Sequence, residues 1–334
     1  MFNLKTNFFI LLAGLVLILS HCSTAPVSDI PSRNWKMSVV TNEDSSWAKG
    51  AHLFADLVKE RSGGRIQITV YPNAELAGGD QVKELTMLQD GSINFTYHSN
   101  LLYSNLDQSF AAISMPWLFT DYAQVDTALS GSAGNLLLKE AEDQGIVGLA
   151  YGENGFRQLT NSRLPVRMPD DLRGLKIRIP NVELYKSIYK ALGATPITMN
   201  FGEVFGALKQ GQIDGQENPI DIIVSSRLYE VQNYITIWNY SYDALILGMN
   251  KKDWDGLPGA AREIIKQAAA EASKQQIQLS RDAARTQLSL LREKGMTVTE
   301  LTPEQVKAFR EVTDPVYVEW SGKIEPEIMK LKGN

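Results

Sequence analysis

A long stretch near the carboxyl end restricts the fold more than any other feature. Residues 260–294 contain neither glycine nor proline, and alanine, glutamine, lysine and glutamate dominate them. These residue types favour an α-helix, and one helix over this stretch would be roughly 50 Å long at about 1.5 Å per residue. Such a helix exceeds one lobe of a protein this size. A coiled coil is the alternative, but alanine, glutamine and serine occupy too many of its seam positions.

Strand and helix patterns alternate twice along the preceding chain. Alternating apolar residues predict strands at 35–40, 66–71 and 93–97, with helices between them. The same alternation returns from Gly145 to about Gln216. Strands joined by helices form sheets covered by crossover helices. The sequence therefore predicts an α/β protein with two units, which 334 residues are enough to build.

Charge and reactive residues exclude several functions. There are 33 lysine and arginine residues against 38 aspartate and glutamate residues, a formal net charge of −5. No basic surplus can neutralise phosphates, which argues against a nucleic-acid partner. Cys22 is the only cysteine, and the histidines are His21, His52 and His98. This set predicts no metal site, no cysteine–histidine nucleophile and no cofactor.

The amino terminus predicts export to the periplasm. Lys5 precedes an apolar run at 8–19, and small residues follow it. Twelve residues span only about 18 Å of helix, whereas a bilayer core needs roughly 30 Å, so a cleaved signal peptide at 1–25 is favoured over an uncleaved anchor. The sequence Leu-Ser-His-Cys at 19–22 also resembles a bacterial lipobox, although His21 replaces the small residue expected there. Cys22 is therefore either removed with the signal or lipidated as an anchor.

Several motifs together resemble one family. They are Phe-Arg-Gln-Leu-Thr-Asn at 156–161, Asp-Leu-Arg-Gly-Leu-Lys-Ile-Arg-Ile-Pro at 171–180, Phe-Gly-Glu-Val at 201–204, Gly-Gln-Ile-Asp-Gly-Gln-Glu-Asn-Pro at 211–219 and Tyr-Glu-Val-Gln at 229–232. In this order, and from about Trp35 to the carboxyl end, the chain resembles the DctP-type solute-binding subunits of tripartite ATP-independent periplasmic (TRAP) transporters. Any one motif alone would be weak.

The resemblance implies the two-lobed fold of periplasmic binding proteins, in which each lobe is a sheet flanked by helices and the long helix spans both. It places the first lobe at 35–154 and 244–282 and the second at 155–243 and 283–334. It also implies a monomer without enzymatic activity. Such a receptor encloses an organic acid between its lobes and delivers it to TRAP membrane permease subunits.

A buried carboxylate needs an opposite charge and hydrogen-bond donors, which a planar guanidinium supplies. On the family motifs, the resemblance assigns the ligand clamp to Arg178, a second charge to Arg157, a neutral contact to Asn218 and a pocket wall to Phe201. The residues leave other roles open. Arg178 could form a salt bridge at a strand edge, Arg157 could be structural, and Asn218 could cap the next helix.

Selectivity is expected from polar and aromatic residues of the first lobe and the hinge. The candidates are Thr41, Ser45, Ser46, Trp47, Gln81, Tyr97, His98, Ser99, Asn100, Trp238, Asn239, Tyr240, Tyr242 and Asp243. Core packing is the alternative for the aromatic residues, and a structural hydrogen bond is the alternative for His98. Sialic-acid binders of the family usually carry an acidic residue where Ser99 and Asn100 stand, which argues against that ligand.

Few spare charges remain for a second carboxylate. The pocket therefore suits a monocarboxylate, such as a sugar acid, hydroxy acid, keto acid or aromatic acid, better than a C4-dicarboxylate. Two other functions stay open. A module that presents ligand to a receptor kinase would have the same fold and site, and a periplasmic hydrolase or lyase would use Asp214 and Glu217 as paired carboxylates.

Overall fold

The computed structural model describes residues 30–332. The predicted signal peptide and Cys22 lie outside these residues. No helix within 30–332 combines the length and the apolar character that crossing a membrane requires.

The described chain alternates strands and helices. The strands are β1 (Arg33–Val39), β2 (Ile66–Tyr71), β3 (Phe95–Ser99), β4 (Ile146–Phe156), β5 (Gln158–Asn161), β6 (Lys176–Ile179), β7 (Thr195–Thr198), β8 (Gly215–Asn218), β9 (Tyr234–Ile237), β10 (Tyr242–Asn250) and β11 (Thr297–Glu300). The α-helices are α1 (Ser46–Arg61), α2 (Gln81–Asp90), α3 (Asn100–Tyr103), α4 (Tyr122–Ser130), α5 (Ser132–Asp143), α6 (Glu183–Ala191), α7 (Val204–Lys209), α8 (Ile220–Ser225), α9 (Lys251–Asp255), α10 (Gly259–Glu293), α11 (Pro303–Ser321) and α12 (Pro326–Met329).

The strands form two mixed sheets. The first has the order β2-β1-β3-β10-β4, and the second has the order β11-β9-β5-β8-β6-β7. β1 runs parallel to β2 and β3, whereas β10 runs antiparallel to β3 and β4. In the second sheet β6 is parallel to β7 and β8, and β5 is antiparallel to β8 and β9. Two sheets flanked by helices confirm the predicted fold class. We call each sheet with its covering helices the first lobe and the second lobe.

Apolar residues at the predicted spacing bury one face of α1 against the first sheet. Trp47, Phe54 and Val58 of this helix are buried, and the Ser45 side chain caps the helix by accepting from the backbone N–H of Ala48. Phe54 and Phe95 meet edge to face with ring centroids 5.3 Å apart. The core of the first lobe therefore lies between its sheet, α1 and the long helix α10.

The long helix is confirmed, since α10 is 35 residues long. It packs against α1 and β4 of the first lobe and against α8 of the second. In its middle, the fully buried Gln276 donates to the carbonyl of Glu153 at 2.7 Å and accepts from the N–H of Glu153 at 2.8 Å. The helix is thereby fastened to β4 close to the point where the chain passes into the second lobe.

β4 and β10 carry the chain between the lobes. Their register shifts between Asp243 and Ala244, which pair with Gly155 and Glu153, so that Asn154 is an extra residue on β4. Such a bulge bends a strand and redirects its side chains. Gly155 has a φ of 115°, a backbone conformation that favours glycine.

The end of the chain departs from the predicted division into lobes. We expected residues 283–334 to belong to the second lobe, and α11 does pack against α6 there. α12, however, packs against α5 of the first lobe, and the chain that follows it contacts α4 and α5. Ile328 and Leu331 are buried in this contact. The gain from covering these apolar side chains brings the end of the chain back across the molecule.

The bonds of Gln276 predict a specific loss of stability. Replacing Gln276 by alanine leaves the N–H and carbonyl of Glu153 without partners inside the protein, which should lower the free energy of unfolding by about 2–4 kcal/mol. The neighbouring Gln275 is exposed on the same helix, and its replacement by alanine should change the free energy by less than about 0.5 kcal/mol. Urea denaturation followed by circular dichroism measures both. Equal effects would contradict the role of Gln276.

Candidate ligand-binding site

A cavity lies between the two lobes. Its empty volume is about 350 Å³. The first lobe lines it with Val40, Thr41, Trp47, Gln81, Ser99, Leu101 and Leu102; the crossing segments with Asn154, Arg157 and Asp243; and the second lobe with Arg178, Pro180, Phe201, Asn218 and Ile222. A concave space in which polar groups converge between apolar walls is typical of a small-molecule site.

Half of the eighteen predicted site residues meet at this cavity. Nine of them line it: Arg178, Arg157, Asn218, Phe201, Trp47, Thr41, Gln81, Ser99 and Asp243. Trp47 is buried in the core of the first lobe and also lines the cavity, and its Nε1 donates to Asn154 Oδ1 at 3.0 Å.

Three of the other nine candidates have polar partners away from the cavity. His98 Nε2 lies 3.1 Å from the carbonyl of Gln81, Asn100 Nδ2 donates to the carbonyl of Phe110 at 2.9 Å, and the hydroxyl of Tyr242 donates to Glu153 at 3.0 Å. All three are buried and none lines the cavity. His98 and Tyr242 do not reach the cavity because side chains alternate between the two faces of a strand. His98 and Tyr242 precede the cavity-lining Ser99 and Asp243, and neighbours on a strand point to opposite faces.

Three aromatic candidates pack inside the protein and do not line the cavity. The hydroxyl of Tyr97 is buried 3.1 Å from Ser273 Oγ, and the rings of Trp238 and Tyr240 pack at 4.6 Å in the core. Asn218 is not the cap of α8, because Pro219 occupies that position and the Asn218 side chain bonds Arg157 and Gln216 instead.

Arg157 is buried and neutralised by two carboxylates. Its Nε and Nη2 donate to the carboxylate of Glu217, and its Nη1 donates to Asp243 Oδ2 at 2.5 Å. Nη2 also donates to Asn218 Oδ1 at 3.2 Å. Burial opposes the charged form of Arg157, but Glu217 and Asp243 outweigh it and raise the pKa well above its usual value. The charge of Arg157 is thus already matched within the protein.

Arg178 is equally buried but lacks such a partner. β6 carries it to the cavity, where Nε and Nη2 donate to the carbonyl of Met199 at 3.0 and 2.6 Å. Nη2 lies 3.3 Å from Gln81 Oε1, and the guanidinium lies 5.7 Å from the centre of the Phe201 ring. Its Nη1 makes no hydrogen bond to the part of the chain that the structure describes. Burial lowers the pKa of Arg178 to about 9, because Glu217 compensates only in part. Arg178 therefore presents to the cavity a guanidinium that no carboxylate among residues 30–332 contacts.

Direct hydrogen bonds join the lobes around the cavity. Gln81 Oε1 of the first lobe accepts from the N–H of Phe201 at 3.0 Å, in addition to its contact with Arg178. Asp221 Oδ2 of the second lobe accepts from the N–H of Ser46 at 2.9 Å, at the start of α1. A carboxylate is favourable there because the helix dipole is positive at its amino end. The structure is thus a closed arrangement of the two lobes.

Sequence reasoning missed Asn154 and most of the apolar wall. Asn154 Oδ1 accepts from Trp47, and its Nδ2 donates to Asp243 Oδ2 at 2.7 Å. The Asn154-Gly155 pair inside a strand was the available signal, because it suggests a bulge. No sequence pattern distinguishes the apolar residues of the cavity wall from ordinary core residues; they are Val40, Leu101, Leu102 and Ile222.

The carboxylates proposed for an enzyme are engaged elsewhere. Glu217 bonds Arg157, and Asp214 Oδ2 accepts from the N–H of Lys176 at 2.9 Å. Neither residue lines the cavity. Within 30–332, no group of three or more histidine, cysteine, aspartate or glutamate residues is arranged to hold a metal ion.

Comparisons with known proteins agree on one family. The model of bacterial extracellular solute-binding protein, family 7 (DctP), matches residues 37–323. The chain is 34% identical over 294 residues to the C4-dicarboxylate-binding periplasmic protein DctP of Rhodobacter capsulatus, covering 87% of each. It is similar to a TRAP periplasmic solute-binding protein of Ralstonia eutropha with bound (S)-2-acetolactate, with 38% identity, a TM-score of 0.88 and coverage of 90% of this chain and 98% of that one. It is also similar to the sugar acid binding protein DctPAm of Advenella mimigardefordensis in complex with galactonate, with 32% identity, a TM-score of 0.87 and coverage of 91% and 97%.

The two arginines predict opposite effects on stability. Replacing Arg157 by glutamine leaves the buried Glu217 and Asp243 without their counter-charge, and should lower the free energy of unfolding by about 3–5 kcal/mol. Replacing Arg178 by glutamine removes a buried charge that lacks a carboxylate, and should preserve or raise the free energy of unfolding of the ligand-free protein. Urea denaturation measures both variants. A larger loss for Arg178→Gln than for Arg157→Gln would contradict this assignment of charges.

Proposed function

The chain belongs to family 7 of the bacterial extracellular solute-binding proteins, the DctP family, and from this premise we propose that it captures a monocarboxylate for a TRAP transporter. The family consists of extracytoplasmic receptors for organic acids. Its members compared above bind a C4-dicarboxylate, acetolactate and galactonate by their names. The common chemistry of these ligands is a carboxylate, so the proposal concerns how many carboxylates this cavity takes and which residues hold them.

The guanidinium of Arg178, which no carboxylate of the described residues contacts, carries the proposal. A buried charge without a partner is unfavourable, and a carboxylate that meets Nη1 supplies both the missing charge and an acceptor. Met199 and Gln81 hold the other side of the guanidinium, so the free edge is oriented before any ligand arrives. Hydrogen bonds to charged groups contribute roughly 1.5–3 kcal/mol each.

The pairing of Arg157 supports one ligand carboxylate rather than two. Glu217 and Asp243 both contact Arg157 and together exceed its single charge, so in our proposal Arg157 is not the second clamp that the family motif implies. In our proposal it holds Asn218 and Asp243 in position and offers the ligand at most the second N–H of Nη1. A dicarboxylate would leave its second charge without a cation in the cavity.

Closure of the lobes turns binding into a signal for the permease. A ligand held by Arg178 of the second lobe and by Gln81 of the first has its full set of contacts only when the lobes are shut. Binding then shifts the population towards the closed form. In this proposal the closed monomer docks on the TRAP permease from the periplasm. Export through residues 1–25 and a lipid tether at Cys22 remain predictions.

A charge introduced at Gln81 tests the clamp. In Gln81→Glu, a carboxylate oxygen replaces the amide oxygen that accepts from Arg178 Nη2, and so neutralises the guanidinium from within the protein. We expect the affinity for an organic acid that binds the unaltered protein to fall at least 100-fold, and thermal stability without ligand to be retained or raised. Calorimetry and thermal unfolding measure the two effects.

The control adds the same charge to the same helix. Thr86 is exposed on α2 and does not line the cavity, so Thr86→Glu should change the affinity less than twofold. Undiminished affinity in Gln81→Glu would exclude Arg178 as the clamp.

A further inference from the structure

We infer that His98 is a positioning residue for the ligand site and acts through Gln81, although it does not line the cavity itself. The inference rests on the proposed function and deepens it, because Gln81 of the first lobe contacts the clamp residue Arg178. Three observations carry it. They are the hydrogen bond from His98 to the backbone of Gln81, the packing that holds the His98 ring, and the contacts of Gln81 with the second lobe.

The side chain of His98 reaches from β3 to the start of α2. Its Nε2 lies 3.1 Å from the carbonyl oxygen of Gln81, which is the first residue of α2. A carbonyl oxygen can only accept, so Nε2 carries a proton and donates it to this bond. The other ring nitrogen, Nδ1, makes no hydrogen bond to residues 30–332. The polar contacts of this buried ring are therefore made through Nε2, at the start of α2.

The His98 ring is held firmly in the first lobe. It is fully buried, and Glu84 Oε2, one turn further along α2, lies 3.4 Å from the same Nε2. The other oxygen of Glu84 accepts from the hydroxyl of Ser38 on β1. The ring of Tyr103 meets the imidazole edge to face, with centroids 6.3 Å apart. Close packing of this kind restricts rotation of the ring, so His98 is a fixed donor on the sheet.

The start of α2 requires such an anchor. The first turn of a helix has fewer internal bonds than its middle, because its first N–H groups lack partners within the helix. Asp80 Oδ1 accepts from the N–H groups of Val82 and Lys83, both at 3.0 Å, and so orders the turn itself. The bond from His98 to the carbonyl of Gln81 instead ties this turn to the sheet.

The position of Gln81 determines two contacts with the second lobe. Its Oε1 accepts from the N–H of Phe201 at 3.0 Å and from Arg178 Nη2 at 3.3 Å. The second distance is near the upper limit for such a bond, so a displacement of about 0.5 Å would break it. Loss of the His98 bond would free the start of α2 to shift. Arg178 would then lose the partner that orients it, and the closed arrangement would lose a bond between the lobes.

Calorimetry on purified variants tests the inference. The probe is whichever of (S)-2-acetolactate, galactonate and succinate binds the unaltered protein most tightly. His98→Phe keeps an aromatic ring but removes the donor, and should weaken binding at least tenfold. His98→Gln offers an amide N–H in place of Nε2, and should keep the affinity within threefold. The matched control is Tyr97→Phe, which deletes the buried bond of the adjacent β3 residue to Ser273 and should change the affinity less than twofold.

A second background shows whether His98 acts through Gln81. The Gln81→Ala protein keeps the backbone carbonyl but lacks the side chain that His98 positions, so adding His98→Phe should change its affinity less than twofold. Equal losses with and without the Gln81 side chain would overturn the inference. Unchanged affinity in His98→Phe, or an equal loss in Tyr97→Phe, would overturn it too, and the receptor function would stand. If neither the probes nor a wider set of organic acids bind the unaltered protein, the proposed function fails and the inference with it.

A spectrum of the unaltered protein decides the inference if His98→Phe does not fold. Long-range proton–nitrogen NMR correlations show which ring nitrogen of a histidine carries a proton. We expect a proton on Nε2 of His98 in the ligand-free protein. A ring with its proton on Nδ1 and none on Nε2 could not donate to Gln81, and would overturn the inference.

Discussion

A positive charge held inside the protein without its own carboxylate is the constraint on which this structure depends. Arg178 and Arg157 line one cavity and are both almost fully buried, but only Arg157 is paired with carboxylates. If carboxylates of the protein contacted both arginines, the site would be a structural ion cluster, and a ligand carboxylate would find no guanidinium without a partner. Glu217 and Asp243 equal the two arginines in number, but both contact Arg157 and neither contacts Arg178. In the proposed function, the one guanidinium without a carboxylate contact binds the single carboxylate of the ligand.

The surrounding framework keeps that charge in place. The carbonyl of Met199 holds the guanidinium on one side, while Arg157 organises Glu217, Asp243 and Asn218 on the other. Asn154 links this group to Trp47 of the first lobe, from a bulge in the strand that crosses between the lobes. The polar network of the cavity and the bend of the crossing strand therefore share one residue, and Gln276 of the long helix anchors the strand beside it.

Much of this arrangement could be predicted because it follows from local patterns. The absence of glycine and proline predicted the long helix, and the alternation of apolar and polar residues predicted the strands. The family motifs identified Arg178, Arg157 and Asn218, which the fold brings together at the cavity. The face of a strand on which a side chain lies was harder to predict. His98 and Tyr242 are one position away from residues that line the cavity, and an error of one residue on a strand exchanges its faces. The return of α12 to the first lobe depends on tertiary packing of Ile328 and Leu331, which no local pattern contains.

The same charge also relates ligand selection to closure. In the closed arrangement Arg178 is only 1% exposed, so closing the empty cavity removes a guanidinium from water without giving it a counter-charge. An open arrangement restores water to the guanidinium, and the closed empty state is thereby disfavoured. In the proposed function, a bound carboxylate removes this electrostatic cost, and the cross-lobe hydrogen bonds of Gln81 and Asp221 then favour the closed state. In the proposed function, the interaction that selects an anion therefore also couples ligand binding to closure, since a ligand shifts an equilibrium only by its differential interaction with the two states.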